Sequence, residues 1–185
     1  EITAAVTPGE VAALVVGVTD KPREISSFHS GGILRDVSLI VVPLNPITRF
    51  HVESDLDDHY REARLKVTIG VGFQASEHGT VMLRLTAPAG KQVAIQPDEV
   101  ELCREMPEQT LAIPVPAPEL WDGEHPRLYR LEAALTVDGE VVETVSRQVG
   151  LRKIEIVGER MLVNGREVKL RGVNRHDTYP TTGRP

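Results

Sequence analysis

The chain has 185 residues, 41% of them hydrophobic and only 4% aromatic, which is enough apolar content for the core of one domain of roughly 100 residues. Its 27 acidic and 21 basic residues give a net charge of −6, so nucleic acid and anionic membranes are not expected as partners. Cys103 is the only cysteine, and no run reaches the ~20 apolar residues of a membrane span. An internal disulfide is therefore impossible, and we expect a cytoplasmic protein.

Two strand-like apolar runs, residues 10–18 and 33–42, lie in the first part of the chain and are joined by a polar loop. Two strands alone do not form a stable domain. We therefore expect these runs to pack on the rest of the chain or to pair between chains.

Period-two alternation dominates residues 46–150. Apolar residues take every second position over 65–73, 81–85 and 129–137, and Asp138-Gly139 is a hairpin-turn pair that leads into a further strand-like run, 141–149, with Val141, Val145 and Val149. About 105 residues of short alternating strands match an immunoglobulin-type domain of ~100 residues. The sequence predicts an all-β fold, an immunoglobulin-like antiparallel β-sandwich without the inter-sheet disulfide.

A proline-rich stretch interrupts this pattern. Pro114, Pro116 and Pro118 keep the chain extended and exclude it from a central strand position. Trp121 follows in the same loop, and we expect it to close one end of the sandwich. The polar residues 53–63 are predicted to form a solvated turn rather than a helix.

The last part of the chain has a distinct order of signals. Asn164-Gly165 predicts a two-residue hairpin turn, because both central positions need positive φ. The apolar run 168–170 then predicts a strand, and it leads into the polar cluster 174–177. Polar groups at the exit of a buried strand are typical of barrel active sites.

Four segments carry a family resemblance. In chain order they read SGGILRDVSL (30–39), LWDGEHPRLY (120–129), VGLR (149–152) and RMLVNGREVKLRGVNRHDTYPTTGR (160–184). Together they resemble glycoside hydrolase family 2, whose best-known members are the β-galactosidases. The resemblance implies that residues 1–45 are the last strands of a sugar-binding jelly roll and that 46–150 are the immunoglobulin-like domain. Residues 151–185 would be a linker hairpin and the first strand of a TIM-barrel catalytic domain, so strand remnants of neighbouring domains flank the sandwich.

This resemblance implies a retaining exo-glycosidase that hydrolyses terminal β-D-galactosides. Such enzymes use two carboxyl groups. In this family both belong to Glu residues on later strands of the barrel, and an Asn precedes the Glu that acts as acid/base. No Asn-Glu dipeptide occurs in the sequence. We therefore expect no catalytic residue in this chain and an inactive 185-residue piece. Thr178-Tyr179-Pro180 stands where β-galactosidases often have His-His-Pro, so a β-glucuronidase or another family 2 glycosidase stays open.

His176 and Asp177 are the candidate substrate-binding residues. His176 matches the histidine that family members place beside the sugar hydroxyls, and a neutral imidazole can both donate and accept there. From the sequence alone His176 can equally be a capping or core histidine. Asp177 can orient His176, bind a sugar hydroxyl or pair with Arg175.

The expected partners follow from the same resemblance. They are the sugar substrate, bound through the barrel of the parent protein, and that protein's own jelly-roll and barrel domains, with a homo-oligomeric parent. The six histidines show no metal-ligand spacing, and the family's Mg²⁺ ligands would lie in the barrel beyond residue 185. A free-standing carbohydrate-binding module is the alternative class, but few aromatic rings are left for stacking on sugars. A purely structural linker leaves the barrel-like tail unexplained.

Overall fold

The computed structural model describes residues 2–7, 9–18, 33 and 36–174, and the chain divides into two compact units, Glu1–Val41 and Val42–Pro185. In the first unit Thr3–Ala5 forms a 3-10 turn. The strands predicted over 10–18 and 33–42 are not formed by the described residues of those runs, and Val11, Val15 and Ile40 are exposed. This prediction was wrong for those residues because an apolar run becomes a strand only when a second strand satisfies its backbone hydrogen bonds.

The second unit is built from antiparallel β-strands. Their bounds are β1 Ile47–Leu56, β2 Glu62–Val71, β3 His78–Thr86, β4 Gln92–Val93, β5 Glu99–Cys103, β6 Glu108–Pro116, β7 Tyr129–Val137, β8 Glu140–Val149, β9 Ile154–Val157, β10 Arg160–Val163 and β11 Arg166–Glu167. One sheet has the order β1-β2-β6. A second has the order β4-β3-β7-β8, with β5 also paired to β3, and a small third sheet has the order β11-β10-β9.

The first two sheets enclose one apolar core. Alternate residues of facing strands are fully buried, and the largest of them are Leu65, Ile69, Leu85, Leu102, Ile113, Leu131, Leu135 and Leu151. Two antiparallel sheets that share one core form a β-sandwich. The predicted immunoglobulin-like, all-β fold is therefore confirmed.

Strand position explains which residues are buried. The central strand β2 buries residues on both faces over its second half, including Thr68, whose hydroxyl lies 3.0 Å from that of Thr110. Strand β6 lies at the edge of its sheet and contains Pro114 and Pro116. The prediction that these prolines exclude a central strand position is confirmed.

The turns agree with their sequence signals. Asp138 and Gly139 have φ of 51° and 83° between β7 and β8, and Asn164 and Gly165 have φ of 51° and 73° between β10 and β11. The predicted strand over 168–170 is not formed: β11 ends at Glu167, and only the Val168 N–H continues the ladder by donating to Met161 O at 2.9 Å. No strand among the described residues lies beyond it to supply further partners.

The chain enters and leaves the sandwich at opposite ends. At the entry, Asn45 Oδ1 accepts hydrogen bonds from the N–H groups of Gln74 and Ala75, each at 3.0 Å. At the exit, Ser54 Oγ near the end of β1 donates to Gly150 O at 3.2 Å. Since β1 runs from Ile47 to Leu56, the two ends are separated by roughly 30 Å.

Candidate functional site at the sandwich–hairpin junction

Four segments meet where the chain leaves the sandwich. They are the linker 150–153, the turn 57–61 between β1 and β2, the loop 117–128, and the small sheet β9–β11, which is called the hairpin sheet below. Their contacts join residues 11 to 95 positions apart in sequence. The junction is thus a long-range arrangement that the sandwich imposes on the start of the hairpin sheet.

Trp121 is the central side chain of the junction. Its N–H donates to Leu151 O at 2.9 Å, and the Arg152 guanidinium lies 4.2 Å from the centre of its ring. A Cβ added at Gly150 would lie 2.9 Å from Trp121 Cγ, so only glycine allows the ring this close to the linker. The structure places Trp121 at one end of the sandwich, half-buried against the linker, as the sequence predicts.

Asn164 connects the hairpin turn to two other segments. Its backbone N–H donates to Lys153 O, and its Oδ1 accepts from the Lys153 N–H, both at 2.9 Å. Its Nδ2 donates to Trp121 O, also at 2.9 Å. One side chain therefore binds the linker and the tryptophan loop, while its backbone makes the positive-φ turn.

A charged cluster lies on the other side of the linker. Lys153 Nζ lies 2.8 Å from Asp58 Oδ1 and 3.3 Å from Glu155 Oε1, and Tyr60 Oη donates to Glu155 Oε2 at 2.8 Å. The hydrogen bond to Asp58 is the main cause that raises the pKa of Lys153, and the same bond lowers the pKa of Asp58. The bond to Glu155 raises the pKa of Tyr60. Opposite charges thus hold the β1–β2 turn against the start of β9.

Asp57 and Gly165 fix the position of Tyr60. Asp57 Oδ1 accepts from the N–H groups of Arg61 at 2.6 Å and Glu62 at 2.8 Å, and the bond from Glu62 is the main cause that lowers the pKa of Asp57. Tyr60 itself has φ of 56°, and a Cβ built on Gly165 would lie 2.7 Å from its ring. The turn carries its ring directly onto the hairpin.

Three carboxyl groups of the junction make hydrogen bonds or ion pairs within the chain. Asp58 pairs with Lys153, and Asp57 and Asp122 cap turns, since Asp122 Oδ1 accepts from the His125 N–H at 2.7 Å. The pKa of Asp122 is lowered mainly by that backbone bond. A general acid for glycoside cleavage has a raised pKa, whereas the pKa of each of these three carboxyls is lowered.

A groove of ≈ 540 Å³ opens between β1 and β8 beside the junction. Its lining includes Phe50, His51, Arg147, Arg152 and Ile154. In the part of the chain that the structure describes, no group of three His, Cys, Asp or Glu side chains converges as a metal site would need. The described residues also include no helix long and apolar enough to cross a membrane.

The predicted substrate-binding residues, His176 and Asp177, lie outside the described residues, as do Arg175 and the Gly31-Gly32 part of the first resembling segment. Asn174 is described and is exposed. The structure therefore brings together the supporting residues of the junction and does not test the substrate-side prediction.

Trp121 and Asn164 stand out in the sequence, but the sequence does not indicate what they contact. The sequence predicts Asn164 only as a turn former and gives no signal for the pairing of Arg152 with Trp121. Lys153, Asp58 and Tyr60 carried no local signal, because ion pairs across 95 residues leave none. The polar run around Asp57 was the only hint that this turn is tightly organised.

Comparison with known protein families shows to which family the chain belongs. The model of the family "Glycosyl hydrolases family 2" matches residues 45–152, and that of its TIM barrel domain matches residues 154–185. The chain belongs to glycosyl hydrolases family 2. The boundary between the two matches falls at Lys153, inside the junction described above.

Two curated relatives of the chain are β-galactosidases. The chain is 33% identical to the enzyme of Enterobacter cloacae over 99% of its length, and 31% identical to that of Halalkalibacterium halodurans over 85%. It spans only 19% and 15% of those two relatives.

Similar solved structures include β-glucuronidases. The enzyme of Parabacteroides merdae shares 26% identity with a TM-score of 0.62, covering 72% of this chain and 17% of that enzyme. The Ruminococcus gnavus enzyme in complex with D-glucuronic acid shares 25% identity with a TM-score of 0.57, covering 75% and 21%.

Proposed function

We propose that this chain is the non-catalytic scaffold portion of a retaining exo-glycosidase that hydrolyses terminal β-D-galactosides. The observation that carries the proposal is the 33% identity to a β-galactosidase over 99% of the chain, which includes the sandwich and both flanking segments. The scaffold role agrees with the described carboxyls, which cap turns or form ion pairs. The 185-residue piece is then expected to be inactive on its own.

The geometry supplies a physical role for such a scaffold. A retaining glycosidase needs its two carboxyl groups about 5–5.5 Å apart and a sugar held against them. Errors of about 1 Å in positioning are costly for catalysis. The sandwich separates its entry and exit by roughly 30 Å, and Asn164, Trp121 and Lys153 fix the direction in which the chain leaves. In this proposal the junction orients the barrel relative to the sandwich.

The identity of the substrate sugar is the more specific part of the proposal. A β-glucuronidase is the second candidate, supported by the similarity to the Parabacteroides merdae enzyme. The test is the full-length parent protein assayed with nitrophenyl β-D-galactoside and nitrophenyl β-D-glucuronide at equal concentrations. We expect kcat/KM to be greater for the galactoside by about 100-fold or more, since a site built for a neutral sugar leaves a carboxylate unpaired. A preference for the glucuronide would overturn the assignment to galactosides.

The isolated 185-residue chain gives a second test. We expect no turnover of either substrate and no binding in a glycan titration at millimolar sugar. Turnover by the pure chain would contradict the scaffold role, and millimolar or tighter glycan binding would favour a carbohydrate-binding module instead.

In the same proposal, His176 and Asp177 bind sugar hydroxyls at the barrel mouth of the parent. We expect His176→Ala to lower kcat/KM by about 100-fold in the full-length protein, because a hydrogen bond that stabilises the transition state is lost. His78→Ala is the matched control, since His78 is exposed on β3 of the sandwich. Equal activity of the two variants would exclude a substrate-side role for His176.

The proposal also includes a homo-oligomeric, cytoplasmic parent and a Mg²⁺ ion held by the barrel. The described residues do not fit that ion, since no three ligating side chains converge among them. We therefore assign no step of catalysis to a metal bound by this part of the protein.

A further inference from the structure

The groove between β1 and β8 lies on one open side of the sandwich. Strand β1 is at the end of one sheet and β8 is at the end of the other, so no described strand pairs with the free edge of either. The two edges are joined at the entry end, where the Ile47 N–H donates to Glu143 Oε2 at 2.5 Å, and at the exit end by the bond from Ser54 to Gly150. The volume of ≈ 540 Å³ is that of a pocket for a small organic ligand.

The charged side chains of this groove are all basic. Arg147 and Arg152 line it together with His51, and none of its described lining residues is an Asp or a Glu. The whole chain has a net charge of −6, so the groove is a local reversal of sign. A concave surface with charges of one sign attracts and concentrates ions of the other sign. This surface is called the arginine groove below.

Arg147 points towards the interior of the sandwich. Successive side chains of a strand alternate between its two faces, and Val145 and Val149, two positions to either side of Arg147, both pack against the core. An inward-pointing charge hinders the pairing of an edge strand with another strand. That role accounts for Arg147 alone, whereas Arg152 lies beyond the end of β8 and brings a second charge to the same groove. Two positive charges at one place indicate a ligand of opposite charge.

Neither guanidinium has an acidic partner in the part of the chain that the structure describes. Arg147 makes no ion pair or side-chain hydrogen bond there, and the Arg152 guanidinium interacts with the Trp121 ring instead of an acid. The nearest acids on either side in sequence, Glu143 and Glu155, are already held by other groups. A guanidinium presents its N–H donors as a fixed fork that matches phosphate or carboxylate oxygens, so both arginines have donors left for a ligand.

The floor of the arginine groove is apolar. Phe50, Val52 and Val149 pack against the core, and Ile154, which is half exposed, also lines the groove. A bare inorganic anion leaves this apolar surface in water, whereas an anion with a carbon body covers it. A phosphate monoester has nearly two negative charges at neutral pH and three acceptor oxygens, which suits two guanidinium groups better than one carboxylate does.

We propose that the arginine groove binds the phosphate monoester of a small organic molecule. The phosphate lies between Arg147 and Arg152, and the carbon body rests on Phe50 and Ile154. Binding draws the Arg152 guanidinium towards the phosphate and so changes the surroundings of Trp121, whose ring centre lies 4.2 Å from that group. All of these residues belong to this chain, so the inference does not depend on the substrate or the barrel of the proposed function.

The test titrates phenyl phosphate into the 185-residue chain and follows the emission of Trp121, the only tryptophan. We expect a saturable change with a Kd below about 1 mM. Arg147→Gln removes one guanidinium and leaves the contact of Arg152 with Trp121 that gives the signal, so it should weaken binding by about 10-fold or more. Arg130→Gln is the matched control and should keep the affinity, because Arg130 is an exposed arginine paired with Glu132 on the outer side of the sandwich.

Phosphorus NMR of phenyl phosphate with the unsubstituted chain is the second measurement, and it does not depend on whether either variant folds. We expect the phosphorus line to broaden as the chain is added. Absence of both a saturable response and line broadening up to about 10 mM ligand would overturn the proposal, as would equal affinities of the Arg147→Gln and unsubstituted chains.

Two further ligands separate the proposal from its competitors. An equal response to benzyl alcohol would show that only the apolar floor binds, and tighter binding of benzoate than of phenyl phosphate would assign the arginine groove to carboxylates. Either result would overturn the proposal. None of these measurements uses catalysis, so a parent that cleaves no galactoside would refute the proposed function and leave this site to be judged on its own.

Discussion

The sandwich and the hairpin sheet hold their positions by different means. In the sandwich, alternate side chains of facing strands are fully buried, so the fold is stabilised mainly by apolar area removed from water. In the hairpin sheet only Val163 is buried, and polar contacts from Asn164, Lys153 and Tyr60 fix its orientation. Stability and orientation are thus supplied by separate sets of residues.

This difference has a consequence for a multidomain enzyme. A large apolar interface is stable but tolerates small shifts of side chains, whereas a few directional hydrogen bonds specify angle and distance. The junction is where direction matters, because the barrel match begins immediately after it. The comparison predicts that core changes will affect folding and that junction changes will affect alignment.

The largest expected effect is in the core. Leu131→Ala should lower the free energy of unfolding of the 185-residue chain by about 3 kcal/mol, because Leu131 is fully buried and its removal leaves a cavity. Ile156→Ala on the hairpin sheet should change it by less than about 0.5 kcal/mol in the same urea titration. Equal losses would show that the hairpin sheet is part of the core.

The second largest expected effect is a loss of stability on substitution in the linker. Gly150→Ala should lower the free energy of unfolding by about 1–3 kcal/mol, since the new Cβ would lie 2.9 Å from Trp121 Cγ and the ring or linker must move. Gly123→Ala is the matched control in the neighbouring loop, where a Cβ would meet nothing within 4 Å. Trp121 is the only tryptophan, so its emission should shift with Gly150→Ala and not with Gly123→Ala. An unchanged spectrum for both variants would contradict the close approach.

A smaller effect is expected at the hairpin turn. Asn164→Gly keeps the positive φ and removes both side-chain hydrogen bonds, so it should lower the free energy of unfolding by about 1–2 kcal/mol. Asn164→Asp keeps the acceptor for the Lys153 N–H and loses the donor to Trp121 O, so a smaller loss is expected. Two variants of equal stability to the unsubstituted chain would show that only the turn conformation matters at this position.

The smallest effect is at the charged cluster and depends on pH. The pKa of Asp58 is lowered by Lys153, so its stabilising contribution is present above the unfolded value near 3.9 and is lost as pH falls through the folded pKa. The pKa of Lys153 is raised, so its contribution is complete below the unfolded value near 10.4 and is lost as pH rises through the folded pKa.

Asp58→Asn should therefore destabilise the chain slightly between about pH 5 and pH 9, and the difference should disappear in acid. Chemical unfolding at a series of pH values measures this difference. Arg130, paired with Glu132 on the outer side of the sandwich, provides a control pair remote from the junction. A difference that persists below the pKa of Asp58 would assign the effect to packing rather than to charge.

Much of the sandwich could be predicted because its signals are local. Alternation over 129–137 places Leu131 and Leu135 in the core, and Asp138-Gly139 needs only its own backbone to form a turn. The fold class follows from such alternating runs, and the family resemblance follows from four other short segments between residues 30 and 184. The edge strand β8 follows the pattern less well: Val141 is exposed where a register shift opposite Leu135 and Thr136 interrupts the pairing.

The remaining structure depends on partners that the sequence does not specify locally. The runs at 10–18 and 168–170 are apolar, but apart from the one hydrogen bond from Val168 to Met161 no described strand pairs with them, so strand propensity alone predicts them wrongly. The junction contacts of Lys153 and Asn164 require the finished sandwich to bring distant segments together. The substrate-side prediction for His176 and Asp177 stays a prediction.

The two prolines of β6 have a further effect on how the molecule meets its own copies. Pro114 and Pro116 occupy alternate positions on an edge strand, and a proline has no backbone N–H that could donate to another strand. A second β-strand approaching this side would find carbonyl oxygens without the matching donors. That end of β6 is consequently a poor template for fibril growth, even while the polypeptide is still being synthesised and its neighbours are incomplete.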